Sequence, residues 1–266
     1  MKKFKVLLVC SVCPLLFLLS ACSESFTDAR DGQSYDVVQI GSQTWMAENL
    51  NYAAVAESGA NASGNGAYCP DGDERNCKRM GRLYTWAAAQ TACPEGWRLP
   101  TREDFVALAK AAGDTAGSAG SSELNGAGVS AGSSELNGAD ASVFANAGAA
   151  LKSSSGWFKK GNGTDGVGFR ALPAGYMAAP EAAAEQLDGT AAEQLDGTAA
   201  APSGESAGES AGKFDGIGGY AYFWSATTDG QESAFAHYLF LDFSSSAAEI
   251  RSFDKLSARS VRCVRR

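Results

Sequence analysis

Apolar residues are interspersed with Asp36 and Gln39 from Tyr35 to Ile40, and after Gly41-Ser42 the run Gln43-Thr44-Trp45-Met46 follows. That pattern predicts a β-hairpin closed by a two-residue turn. Within Gly81–Ala89, Leu83, Trp86 and Ala87 recur at i, i+3 and i+4, which predicts a helix ended by Cys93-Pro94. A second helix is expected after Thr101. That residue is a good N-cap, Asp104 stands three places on where a capping-box carboxylate sits, and Phe105, Val106, Leu108 and Ala109 supply an apolar face. Period-two patterning returns later. An extended segment is expected over Gly168–Met177, and strands over Tyr220–Thr227, Ala234–Phe243, Ile250–Phe253 and Ala258–Val264.

Between these elements lie stretches with no such pattern. Ser118–Ala127 recurs unchanged as residues 130–139, Glu185–Ala192 recurs as 193–200, and Gly-Glu-Ser-Ala repeats twice from Gly204. Units this short cannot be solenoid repeats, which need roughly 20–50 residues. They are rich in Gly, Ala, Ser and Glu and poor in large apolar residues, so they bury too little surface to offset ordering entropy. They are expected to be tandem duplications inside two low-complexity surface loops, at about residues 112–142 and 178–213.

The N-terminus has a different character. Lys2, Lys3 and Lys5 precede an apolar run from Val6 to Leu19, the charged and hydrophobic regions of a secretory signal. The run is short for a bilayer span, which needs about 20 apolar residues. Leu19-Ser20-Ala21-Cys22 resembles the bacterial lipobox. The resemblance implies cleavage after residue 21, lipidation of Cys22, and a membrane partner reached through acyl chains worth about 0.8 kcal/mol per buried methylene. Ser23 after the cysteine leans toward the outer rather than the inner membrane. Residues 22–30 are expected to be a polar tether, and 31–266 a single domain.

Charge and cysteine content narrow the picture. Removing the signal takes three lysines and no acid, leaving 19 basic against 30 acidic residues, a net charge of −11. So acidic a chain is a poor nucleic-acid partner, because phosphate binding needs Lys and Arg to displace counterions. Of seven cysteines, Cys10 and Cys13 leave with the signal and Cys22 is spent on lipid. Four remain, and in an exported chain they read as two disulfides with three possible pairings. Cys69 and Cys77 bracket a tight polar loop and are paired locally, which leaves Cys93 with Cys263. A four-cysteine zinc site would want a C-x-x-C pair, and the four remaining cysteines contain none, so no metal is expected.

Six segments taken together resemble one known family. They are Asp31–Asn51, Gly81–Trp86, Cys93–Thr101, Gly168–Tyr176, Phe223–Ala226 and Ser260–Arg265. In that order they resemble the Fibrobacter succinogenes major paralogous domain. Trp97-Arg98-Leu99-Pro100-Thr101 before a helix, and the closing Val261-Arg262-Cys263-Val264-Arg265, are also similar to C-type-lectin-like and formylglycine-generating-enzyme-like domains. The resemblance implies an α+β fold, with two helices on a small antiparallel sheet in which the termini meet. It does not carry a function by itself.

Candidate chemistry is sparse. His237 is the only histidine and lies in an alternating strand, where a structural imidazole is the default. No Gly-x-Ser-x-Gly elbow accompanies it. The four mature cysteines are assigned to bridges, which removes the pair used by formylglycine-generating enzymes. The calcium-site signatures of animal lectins are missing from the sequence, and no cofactor motif is present. Asp71, Asp73 and Glu74 cluster in the small disulfide loop, which reads as solvated surface. Trp45, Trp86, Trp97 and Trp224 are expected in the core. Trp157, in a Gly-rich segment, is the candidate for stacking on a sugar. The expected function is therefore a noncatalytic envelope lipoprotein that binds carbohydrate or another envelope partner. The alternatives are a carboxylate-based or formylglycine-generating-like enzyme and a purely structural envelope protein.

Overall fold

The computed structural model describes residues 24–53, 66–115, 142–179, 212–230 and 233–266. Cys22 and most of both repeat stretches lie outside them. In chain order the strands begin with β1 (Ser25–Thr27), β2 (Ser34–Ile40), β3 (Gln43–Met46), β4 (Ala67–Tyr68), β5 (Leu83–Thr85) and β6 (Trp97–Arg98). They continue with β7 (Ser142–Phe144), β8 (Ala174–Met177), β9 (Phe214–Ile217), β10 (Tyr220–Thr228), β11 (Phe235–Asp242), β12 (Ala248–Asp254), β13 (Ala258–Ser260) and β14 (Val264–Arg265). The helices are α1 (Glu74–Met80), α2 (Trp86–Ala92), α3 (Arg102–Thr115) and α4 (Ala147–Leu151). The fold is α+β and mostly β.

Two curled sheets carry the structure. The smaller has the order β1-β2-β3-β14-β6, and the larger runs β4-β5-β13-β8-β10-β11-β12-β7, with β9 paired to β8. The β2–β3 hairpin turns at Gly41, whose φ of 58° is the left-handed value that a tight turn asks of glycine. On one face of the large sheet, α3 buries Phe105, Leu108, Ala109 and Ala112 against Trp45, Phe169, Phe223 and Leu239. A second cluster gathers Tyr35, Met46, Tyr84, Trp97, Trp224 and Val261 under α2.

The last nine residues join the sheets. Residues 258–260 pair with β5 and β10, and residues 264–265 pair with β3 and β6. Between them Arg262 is fully buried. Its guanidinium donates to the carbonyl oxygens of Met46 and Phe169 and to Asn49 Oδ1, and it lies 4.3 Å from the Phe169 ring centroid. Burial pushes its pKa down from the usual arginine value to about 9. Cys93, the C-cap of α2, bridges to Cys263 across 170 residues, while Cys69 bridges to Cys77. Chain-entropy arguments give the long bridge about 5 kcal/mol and the short one about 2.5 kcal/mol, upper estimates that native strain reduces.

Several expectations change. Of the supposed tether, residues 24–30 are part of the fold. Ser25–Thr27 pair with β2, Asp28 is buried, and the Glu24 carboxylate meets Arg265 at 2.5 Å. Leu83–Thr85 are strand, not the start of a helix. Thr85 caps α2 instead, accepting the Ala88 N–H, so the helix begins at Trp86. The Cys69–Cys77 segment is not simply a solvated loop. Asp73 caps α1 by accepting the Arg75 N–H, and Cys77 and Met80 face inward. Four helices stand among the described residues where two were expected.

The capping box of α3 is formed as anticipated. Asp104 Oδ2 accepts the Thr101 N–H at 2.7 Å, and Thr101 Oγ1 accepts the Asp104 N–H at 3.2 Å. Arg98 clamps the same carboxylate with both guanidinium nitrogens. Burial works against the charge, but Arg98 and Thr101 outweigh it and hold Asp104 below the usual carboxylate range. A carboxylate with a depressed folded pKa stabilises the fold above its unfolded pKa, near 3.9. That stability is lost as pH falls through the folded value. Asp104→Asn should cost about 1–2 kcal/mol at pH 7 and remove part of the acid sensitivity. Urea denaturation at pH 7 and pH 3 measures both. Equal losses of stability on acidification in parent and variant would exclude this role.

Candidate functional site

Trp157 is not available for stacking. It is 5 % exposed, and its Nε1 donates to Ser153 Oγ at 3.0 Å and to the Ala171 carbonyl at 3.2 Å. Its backbone N–H is held by Asn162 Oδ1, and Lys152 Nζ lies 5.2 Å from its ring. A Trp this satisfied is a loop anchor. Trp45, Trp97 and Trp224 are buried as expected. Trp86 is half-buried, donating to the Ser225 carbonyl under the Lys255 ammonium. His237 is buried in β11. Cys69, Glu74 and Cys77 come together, but the two sulfurs are bonded to each other and offer no thiolate to a metal.

The side chains that combine position with accessibility are tyrosines. Successive residues of a strand point to opposite faces, and β10 turns Ala221 and Phe223 toward α3 while Tyr220, Tyr222 and Trp224 point the other way. Registered neighbours extend this second face. Phe240 lies opposite Tyr222, Tyr238 opposite Trp224, and Glu249 and Arg251 follow on β12. Tyr176 joins from β8, its ring 5.2 Å from that of Tyr222. Tyr220 lies 6.2 Å from Tyr222 and 6.1 Å from Phe243. Trp224, Tyr238 and Phe240 are buried, whereas Tyr176, Tyr220, Tyr222 and Phe243 keep part of their surface in water.

A buried cation stiffens this face from behind. Arg259 is 2 % exposed, and its guanidinium carbon lies 4.4 Å from the Tyr238 centroid and 4.5 Å from that of Trp224. Phe253, Tyr222 and Tyr176 stand at 4.9, 5.4 and 5.7 Å. Ser257 Oγ accepts one of its hydrogens. Burial pushes its pKa down, and the ring faces partly replace lost hydration, each such contact reaching about 2 kcal/mol when desolvated. At the edge, Arg251 stacks 4.1 Å over Phe240 and pairs with Glu249 at 2.7 Å. Burial raises the pKa of Tyr222 and Tyr220, so both hydroxyls stay protonated and can donate. Among the described residues this face carries no histidine and no free thiol. It can stack and hydrogen-bond.

The alternation that builds the stripe is visible in Tyr220-Ala221-Tyr222-Phe223-Trp224. Both of its faces are apolar, so the sequence does not say which one is left to solvent.

The family model described as the Fibrobacter succinogenes major domain matches residues 38–265. The chain belongs to this family. Comparison with curated proteins and with solved structures returns no match. The Fibrobacter succinogenes major domain thus runs from within β2 to the end of β14, and both buried arginines and the tyrosine stripe fall inside it.

Trp157→Ala in this domain should destabilise the fold by about 3–5 kcal/mol through cavity formation and lost hydrogen bonds. Denaturant unfolding gives the value. A loss under 1 kcal/mol would return Trp157 to the list of exposed contacts.

Proposed function

We propose that this protein is a noncatalytic cell-envelope lipoprotein, anchored by lipid on Cys22 to the outer membrane, whose single domain binds polysaccharide through the tyrosine stripe. The observation that carries the binding reading is the row Tyr176, Tyr222, Tyr220, part-exposed and with neighbouring rings 5.2–6.2 Å apart. Rings presented this way offer flat apolar faces to sugar rings, while the tyrosine hydroxyls, Glu249 and Arg251 offer hydrogen bonds to their hydroxyls. The backing by Arg259 and the sheet ladders means little ordering cost on binding. Under this reading the fold is C-type-lectin-like, with α2 and α3 packed on antiparallel sheets that bring the chain ends together. The lipobox and the acidic mature chain support an envelope location and argue against a nucleic-acid partner.

Tyr220→Ala and Tyr222→Ala should each weaken binding to the preferred glycan by roughly five- to tenfold, about 1–1.4 kcal/mol. Glycan-array screening followed by titration measures this. Binding that survives the double substitution unchanged would dismiss the stripe as the site. Cys22→Ser should abolish acylation and release the protein from the membrane fraction, read by mass spectrometry and sedimentation. Continued membrane pelleting without acyl mass would refute the anchor.

A further inference from the structure

A second concavity lies away from the tyrosine stripe. It is a cleft of about 260 Å³ between α1, the chain after β3, and the segments around Ser153–Ser155 and Asp165–Leu172. Ligand pockets for drug-sized molecules start near 300 Å³, so this one suits something smaller. Its walls carry full charges of both signs. Lys78, Arg79 and Arg170 supply cations, and Glu48 and Asp165 supply carboxylates, with Met80 and Leu172 as apolar lining.

These groups are not all spent on each other. Arg170 pairs with Asp36 at 2.7 Å. Asp165 Oδ1 accepts the Arg170 backbone N–H at 2.9 Å, and Glu48 Oε2 accepts the Asp36 N–H at 3.0 Å. Neither carboxylate has a direct ion-pair partner among the described residues. Lys78, on the exposed side of α1, makes no ion pair among them either. Asn51 Oδ1 is a buried acceptor with no hydrogen-bond partner, although such groups are normally satisfied. Burial also pushes the Asp165 pKa up, so an incoming ammonium would relieve it.

The walls are held rigidly. Asp165 and Arg170 adopt left-handed backbone angles, with φ of 50° and 51°. Such geometry is uncommon for arginine and clusters at ligand clamps. The α1 wall is pinned by the Cys69–Cys77 bridge and by Asn49 Nδ2, which donates to the Met80 carbonyl at 2.7 Å. Preorganised charges of both signs around a small volume select a dipolar ligand over a singly charged one.

We propose that this cleft is a second binding site, for a small zwitterion such as a free α-amino acid or a dipeptide. Its ammonium meets Asp165, Glu48 and Asn51, and its carboxylate meets Lys78 and Arg79. The site stands apart from the glycan reading and does not depend on it.

The test is calorimetric and NMR titration of the detergent-solubilised full chain. The probes are L-alanine, D-alanine and L-alanyl-L-alanine, with N-acetyl-L-alanine and L-alaninamide as analogues each lacking one charge. At least one zwitterion should bind at submillimolar concentration, with shifts confined to the amides of residues 47–51, 77–81 and 165–170. Both blocked analogues should bind at least tenfold more weakly. Tighter binding of the dipeptide than of alanine assigns the peptide, and the reverse order assigns the free amino acid. Lys78→Met, at an exposed position that leaves the fold intact, should weaken the zwitterion at least fivefold, and Asp165→Asn likewise. Glu95→Gln, at an exposed position outside the cleft lining, should leave it unchanged. Equal affinity for parent and blocked analogues, or no response to any zwitterion, would overturn the proposal.

Discussion

One buried cation holds the two sheets together. Arg262 sits at the point where the chain leaves the large sheet and enters the small one. Its two terminal nitrogens donate to carbonyls from the hairpin arm and from the loop carrying Phe169, and to Asn49 Oδ1, while Nε has no partner. A buried charge is costly unless it is paired or hydrogen-bonded. The position of Met46, Asn49 and Phe169 is therefore not free, because the guanidinium holds two separate chain segments, 46–49 and the one carrying Phe169, against its own. The neighbouring Cys263 adds a covalent tie to α2. The tyrosine stripe lies along β8 and β10, and both strands pair with the residues just before this crossover.

Arg259 and Arg262 stand three residues apart and solve the same problem in different ways. Arg262 is satisfied mainly by oxygen atoms, and Arg259 mainly by ring faces. The second solution shapes the binding surface, because rings gathered around a cation cannot swing freely. Tyr222 contributes to the cage and to the exposed stripe at once. Tyr176 does the same at longer range, so order within the core is passed outward through two neighbouring rings.

Local chemistry was legible in the sequence wherever it was complete within a few residues. Gly41-Ser42 gave away the hairpin, and Thr101 with Asp104 gave away the start of α3. The disulfide pairing was legible because Cys69 and Cys77 bracket a short polar loop, which left Cys93 for Cys263. Illegible features depended on distant residues. Leu83, Trp86 and Ala87 fit a helical face, but pairing with β13 claims Leu83 for a strand. Trp157 looked exposed because its partners, Ser153 and Ala171, become neighbours only when the loop folds back. The stripe was hidden because both faces of β10 are apolar, and α3, which covers one of them, begins more than a hundred residues earlier. The cleft draws on five separate stretches of chain, and no single one of them carries a motif.

The ion pair between Glu24 and Arg265, together with the Val37 N–H donated to the Glu24 carbonyl, ties the first described residue to the sheet. Under the proposed lipidation of Cys22, only Ser23 would separate the acylated residue from one held in the fold, and two residues reach at most roughly 7 Å. On that proposal the leash would leave the domain almost no freedom to wander or tumble above a bilayer, and the edge formed by β1 would be the side turned toward it, as a bracket is turned to its wall.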